Sequence, residues 1–132
     1  MSKYFSILEF TRSSTAAVRG IDNTPPPAVT GRLQRLIDDL LDPVRKRWGR
    51  PITVNSGYRC PELNKAVGGV PTSQHCTGEA ADITAGSPEK NRELFEMIRI
   101  SGLQFDQLID ESHFSWVHIS YSTSNRRQVL HL

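Results

Sequence analysis

Histidine is the residue type whose placement in this sequence most directly indicates chemistry. The chain has four histidines in 132 residues, and two of them lie in unusual settings. His75 stands in a turn-like stretch, and Asp82 follows it seven positions later, with Gly78 between them to let the chain reverse. His118 lies in the middle of an apolar stretch with the alternation of a strand. His75, Asp82 and His118 are therefore candidate metal ligands.

Two neutral imidazoles and one carboxylate form a donor set that suits zinc. Three protein ligands leave a fourth coordination position open, which is typical of a catalytic zinc site. A zinc ion in such a site lowers the pKa of a water molecule to about 7 and polarises a carbonyl group. The spacing alone leaves other readings open, because a histidine in a strand is often a hydrogen-bonded core residue and Asp82 could be a turn residue.

The clearest predicted element is a long helix. Apolar residues recur at helical spacing from Leu33 to Trp48 and form one stripe. Pro43 interrupts this stripe, and Asp42 can cap a new turn, so we expect a kink or break there. Gly49 ends the helix.

Shorter elements surround the candidate ligands. The pattern predicts strands at 52–55, 80–84, 105–109, 116–121 and 128–132, a helix at 60–67, and another that opens at Ser87 and closes at Gly102. Because helices come early and strands late, we expect an α+β fold, with a small antiparallel sheet and helices packed on one side. We expect one domain over residues 1–132, in which 1–28 form an N-terminal arm and a proline-rich connector.

Several separate blocks, in the right order, resemble the M15 family of zinc peptidases, the D-alanyl-D-alanine carboxypeptidase-like enzymes of the bacterial cell wall. The blocks are Ser56-Gly57-Tyr58-Arg59, Leu63-Asn64, Gly68-Gly69, Ser73-Gln74-His75, Gly78 with Ala80-Ala81-Asp82-Ile83, and Trp116-Val117-His118. The segment Asp22-Asn23-Thr24-Pro25 and the long helix are similar to the small, phage-associated branch. The resemblance implies the fold shared with the hedgehog signalling domain, Zn²⁺ on His75, Asp82 and His118, and cleavage of amide bonds in peptidoglycan stem peptides.

The same resemblance nominates residues that bind the substrate. It assigns Arg59 to the substrate and the transition state, because a fixed guanidinium can bind a carboxylate or a developing oxyanion in bidentate fashion. A structural salt bridge is the alternative for Arg59. Ser73 and Tyr121 are further candidates to line the cleft, although turn and strand roles explain them as well.

The general base is the part of the pattern from which this sequence departs. Some family members have a glutamate three residues before the last ligand, where this chain has Ser115, which cannot abstract a proton at neutral pH. His113 and Glu111 stand five and seven residues before His118 and could reach the reacting water. We expect Glu111 to act as acid and base and His113 to stabilise the tetrahedral intermediate. An exposed loop histidine and a plain turn acid are the alternatives.

The composition narrows the classes of partner. The net charge of +2 is too weak to indicate nucleic acid, and the basic run at 45–50 suits a helix end, with wall binding as the alternative. No segment has the apolar length of a membrane span, and no signal peptide is visible. We therefore expect synthesis in the cytoplasm. Action at the cell wall would then require delivery, for example by a phage. We also expect a monomer. Cys60 and Cys76 are expected to be free thiols, a single disulfide being the alternative.

Three classes of function remain to be weighed. The leading one is a zinc peptidase of carboxypeptidase or endopeptidase type, comparable to an endolysin, that cuts D-Ala-D-Ala, L-Ala-D-Glu or crosslink bonds. The second is a non-catalytic module of the wall or of a phage particle that keeps zinc for stability, a reading favoured by Ser115. The third, a metal-free structural protein, would leave the histidines and Asp82 without purpose.

Overall fold

A mixed five-stranded sheet is the central element of the computed structural model, which describes residues 2–132. The strand order is β1-β2-β4-β3-β5. The strands are β1 (Thr53–Ser56), β2 (Ala80–Thr84), β3 (Gln107–Glu111), β4 (Trp116–Ser120) and β5 (Gln128–His131). The α+β class predicted from the sequence is confirmed.

Six α-helices accompany the sheet in the described part of the chain. They are α1 (Ile7–Thr11), α2 (Ser14–Arg19), α3 (Pro27–Leu36), α4 (Asp42–Trp48), α5 (Pro61–Ala66) and α6 (Pro88–Ile100). A π-helical segment, Ile37–Leu41, joins α3 to α4, and a single 3₁₀ turn, Gln74–Thr77, precedes β2. None of the helices within residues 2–132 has the length and apolar character needed to cross a bilayer.

The predicted kink takes the form of the π-helical segment. Pro43 lacks the N–H group that would bond to the preceding turn, and its ring crowds that turn. The backbone responds one residue earlier, where the Asp42 N–H bonds to the Ile37 carbonyl, five residues back. The helix therefore continues without a break, and its apolar residues stay buried on both sides of the proline.

The two faces of the sheet have different roles. Val117 and Ile119 of β4 and Ala81 and Ile83 of β2 are fully buried against the core that the long helices cover. Burying each large aliphatic side chain contributes about 1.5–3 kcal/mol. Because strand side chains alternate, residues between these positions project from the opposite face, which includes His118.

The pairing of β5 departs from the expected antiparallel sheet. β1, β2, β4 and β3 pair antiparallel, but β5 runs parallel to β3. β4 returns the chain to the end of the sheet where β3 begins, as its pairing of Ile119 with Leu108 shows. A short loop then passes the start of β3 and enters β5 in the direction of β3. The alternation pattern within β5 carries no information about this direction.

The N-terminal arm closes over the segment that precedes Arg59. The Tyr58 N–H donates to the Phe10 carbonyl at 2.6 Å. A Cβ atom at position 57 would lie 2.5 Å from that same oxygen, so only glycine permits this approach. Asn23 is nearly buried and donates to the carbonyls of Thr11 and Tyr58, at 2.9 and 3.0 Å. The arm is therefore integral to the fold.

Candidate active site

The strand register places two of the predicted ligands side by side. Asp82 of β2 is the direct partner of His118 in β4. An Asp82 carboxylate oxygen, Oδ1, lies 3.0 Å from His118 Nδ1 and 3.3 Å from His75 Nε2. One ligand atom from each of the three residues lies within 4.8 Å of the other two. Residues far apart in sequence therefore converge on one point, as a shared metal site would require.

His75 reaches this point from the 3₁₀ turn. The Ser73 hydroxyl caps the turn by accepting from the His75 N–H at 3.1 Å. Gly78 ends the turn in a left-handed conformation, with φ of 81°, and a Cβ there would lie 2.8 Å from the Val29 carbonyl oxygen. These contacts fix where the buried His75 ring sits.

The orientation of the His75 ring leaves one nitrogen free for a metal. Nδ1 lies 2.6 Å from the Gly57 carbonyl, which can only accept, so Nδ1 carries the proton. Nε2 is then the unprotonated nitrogen and faces Asp82. A carbonyl that orients the second nitrogen of a ligating histidine is a regular feature of metal sites.

Electrostatics keep the Asp82 carboxylate ionised. Burial raises the pKa of Asp82, but hydrogen bonds and charges from His118 and His75 outweigh burial and hold this pKa well below its usual value of 3.8. An ionised carboxylate and two imidazole nitrogens thus face one another. This donor set fits a zinc ion, which would replace the direct contacts between these side chains.

The three residues open onto a cleft of about 550 Å³. Its floor is the face of β2, β4 and β3 opposite the core, and its wall is the segment from Val67 to His75. Besides the three candidate ligands, the polar lining includes Arg59, Ser73, Gln74, Gln107, Glu111 and Arg126. We refer to this space as the cleft.

Arg59 lies in the cleft beside the three candidate metal ligands. Its backbone N–H donates to the His75 carbonyl at 3.1 Å, and its Nη2 lies 3.4 Å from the Ser73 hydroxyl. Its buried Nε has no hydrogen-bond partner among residues 2–132. No carboxylate within that range pairs with Arg59, so the structure does not support the salt-bridge alternative.

Of the two candidates for acid and base chemistry, the structure places only Glu111 in the cleft. Glu111 ends β3 opposite Trp116, whose indole N–H donates to Glu111 Oε2 at 3.1 Å. His113 is exposed on the tight turn between β3 and β4, with φ of 56°, and is not among the residues that line the cleft. The turn continues β3 away from the cleft, which is why closeness in sequence to His118 does not bring His113 near it.

Tyr121 also lies outside the cleft. It follows β4 rather than belonging to it, and its N–H donates to the Glu79 carbonyl at 2.8 Å. Burial, followed by the charge of nearby Asp39, raises the pKa of the Tyr121 hydroxyl. Its side chain therefore faces the helix side of the fold, and the predicted contact with substrate has no geometric support.

The thiols are unbridged, as the sequence prediction has it. Cys60 and Cys76 are both free and half-buried, and neither lines the cleft. Cys60 caps α5, since its sulfur accepts from the Leu63 N–H at 3.4 Å. Burial, only partly offset by the positive charge of Arg59, raises the pKa of Cys76.

Sequence reasoning did not identify Arg126, which lines the cleft, or its buried partner Asp106. Asp106 is 2% exposed and binds the Arg126 guanidinium through two hydrogen bonds. One signal was available: an aspartate inside a predicted strand, at 105–109, needs a partner if the strand is buried. The sequence did not indicate which of the 16 lysines and arginines that partner is.

Two comparisons relate the chain to known proteins. The family model described as Peptidase M15 matches residues 3–120. The zinc D-Ala-D-Ala carboxypeptidase of Streptomyces albus G is 44% identical over 62 residues, which are 46% of this chain and 24% of that protein. The match thus covers about a quarter of that relative's length.

Proposed function

Because this chain belongs to the M15 family of peptidases, we propose that it is a zinc peptidase that hydrolyses amide bonds in peptidoglycan stem peptides. The observation that carries the proposal is the convergence of His75, Asp82 and His118 at the floor of a cleft that also holds Arg59 and Glu111. The named relative, a zinc carboxypeptidase for D-Ala-D-Ala, supports both the metal and the substrate class.

Zinc would be held by His75 Nε2, an Asp82 carboxylate oxygen and a His118 ring nitrogen. When bound there, zinc supplies Lewis acidity, polarising the scissile carbonyl and making water a stronger nucleophile. Asp82 balances part of the positive charge. The Gly57 carbonyl holds the His75 ring in the tautomer that a metal requires.

Arg59 is the group we assign to the carbonyl oxygen of the scissile bond. Its backbone bond to His75 ties it to the metal-binding turn, and its Nε has no partner among the described residues. A guanidinium held in place before reaction stabilises negative charge that develops on the carbonyl oxygen, without having to reorganise. It would equally bind the terminal carboxylate of a substrate.

Glu111 is the group we assign to proton transfer. Its carboxylate accepts the attacking water's proton and returns it to the leaving amine. The Trp116 indole occupies one carboxylate oxygen, so the other is free to take the proton. We assign no role to His113, which is exposed outside the cleft.

The test is hydrolysis of purified peptidoglycan by the zinc-loaded chain. Elemental analysis should give one zinc per chain, and the reaction should release new amino groups. Identification of the products would show whether D-Ala-D-Ala, L-Ala-D-Glu or a crosslink is cut. Zinc binding without release of amino groups would instead support the non-catalytic module of a wall or phage particle.

We also propose that the protein works at the cell wall as a monomer, where its substrate lies. Size-exclusion chromatography with light scattering should give the mass of one chain, 14.8 kDa. Delivery by a phage remains part of this proposal, and lysis of cells that receive the protein from outside is its test.

A further inference from the structure

Arg126 is an exposed arginine that is held unusually firmly. Its Nε donates to Asp106 Oδ1 at 2.7 Å, and its Nη2 donates to Asp106 Oδ2 at 3.0 Å. Its backbone N–H donates to the same carboxylate at 3.2 Å. Asp106 is itself fixed, because its side chain is almost fully buried and accepts from Gln74 Nε2 at 2.8 Å. The guanidinium therefore has a defined position although 56% of its side chain is exposed.

This pairing leaves part of the guanidinium free. The two hydrogen bonds to Asp106 use Nε and one N–H of Nη2, whereas a guanidinium has five donors. No residue within 2–132 accepts from Nη1. Arg126, which carries these free donors, lines the cleft.

The position of Arg126 relative to the metal-binding cluster follows from β3. Gln107 and Glu111 lie at opposite ends of this strand, and both line the cleft, with Ile109 and its partner His118 between them. Asp106 directly precedes Gln107, so Arg126 lies at the end of the cleft away from Glu111. Side chains two positions apart on a strand are about 7 Å apart. Arg126 therefore lies beside the Gln107 end of the cleft, with His118 farther along the sheet.

The structure assigns Arg126 to substrate recognition: we propose that it binds a carboxylate of the stem peptide away from the scissile bond. The inference rests on the proposed peptidase function. An arginine fork binds carboxylates through paired, charge-assisted hydrogen bonds. The ligand class is thus a peptide with a free carboxylate at this position, and its primary amide should bind more weakly.

The test compares four forms of one peptide, L-Ala-γ-D-Glu-L-Lys-D-Ala-D-Ala. In these forms the α-carboxylate of D-Glu and the terminal carboxylate are both free, singly amidated or both amidated. Binding is measured by calorimetry on zinc-loaded Glu111→Gln, which should not consume the peptide. Amidation of whichever of the two carboxylates Arg126 binds should weaken binding about tenfold, the size expected for a charge-assisted hydrogen bond. That loss should disappear when Arg126→Gln is added.

Two further variants exclude a merely electrostatic or structural effect. Arg50→Gln removes one positive charge from an exposed residue outside the cleft and should leave the amidation effect unchanged. Arg126→Lys keeps the charge but loses the fork, and should retain part of the preference. In Arg126→Gln, Asp106 keeps its bonds to Gln74 and to the backbone N–H of residue 126, so the fold should persist.

The outcomes separate this inference from the function on which it rests. If wild-type protein hydrolyses peptidoglycan but amidation has the same effect with and without Arg126, the inference is overturned. If wild-type protein binds zinc and releases no amino groups, the proposed function fails. The four-peptide comparison still gives a result in that case, because it measures binding and not turnover.

Discussion

At the scale of single residues, the three candidate metal ligands come together in the structure, whereas only one of the two candidate acid and base residues lines the cleft. His75, Asp82 and His118 converge because two of them are direct partners in adjacent strands. Glu111 and His113 were placed by distance along the chain from His118. The turn between β3 and β4 separates them, and only the structure shows that Glu111 faces the cleft. Sequence reasoning did not identify Arg126, because its proposed role depends on a buried partner, Asp106.

Replacing Glu111 should separate metal binding from turnover. Glu111→Gln keeps the shape of the side chain and its contact with Trp116 but cannot take up a proton. We expect full zinc content and turnover at least about a hundredfold lower on peptidoglycan. His113→Ala is the matched control and should retain near-normal turnover. Near-normal turnover in Glu111→Gln, with a large loss in His113→Ala, would reverse the assignment.

The metal itself gives a second test at this scale. A chelator should abolish hydrolysis, and added Zn²⁺ should restore it. His118→Ala should lower the zinc content well below one per chain, because two ligands bind zinc much more weakly than three. Arg50→Gln, at an exposed position outside the cleft, is the control and should keep full zinc content. Full zinc content in His118→Ala would contradict the assignment of this ligand.

At the scale of elements, periodicity predicted which segments form helices and strands, but not every partner. The strand at 80–84 and the strand at 116–120 have the predicted bounds to within a residue. The predicted strand at 105–109 is shifted by two residues, to Gln107–Glu111, and the Gln107 N–H donates to the Ser120 hydroxyl at 2.9 Å. The path of the loop before β5 sets the direction of that strand, and the residue pattern within β5 does not indicate this direction.

The contact between the loop before β5 and the start of β3 predicts a dependence of stability on pH. The hydrogen bond from Arg126 lowers the pKa of Asp106, against burial, and Gln74 lowers it further. A carboxyl group with a depressed pKa stabilises the fold above its unfolded value of 3.8, and that contribution is lost as pH falls through the folded pKa. Asp106→Asn should be less stable than wild type at pH 7, by about 1–3 kcal/mol.

The measurement is urea unfolding of both proteins between pH 2 and 7. The difference in unfolding free energy should shrink as the pH drops below 3.8. A difference that stays constant over this range would show that Asp106 contributes through packing and not through its charge.

At the scale of the whole molecule, the sequence predicted one α+β unit with an N-terminal arm, and the structure adds how closely that arm contacts the site. The arm was expected to pack on the domain, but its contacts with Gly57 and Tyr58 join positions that no periodicity links. Such contacts depend on chain entry angles and on single glycines. They therefore emerge only when the fold is assembled.

The Gly57 carbonyl connects the candidate metal ligand His75 to the segment that the N-terminal arm contacts. It orients His75, while the next residue, Tyr58, is held by Phe10 and Asn23. We therefore expect metal binding and local opening of the arm to oppose each other, and such linkage is reciprocal. Zinc should slow hydrogen–deuterium exchange of the Tyr58 amide. Asn23→Ala, which removes side-chain bonds that hold the arm, should weaken zinc binding. Exchange at Tyr58 that ignores zinc would show that the arm and the metal act independently.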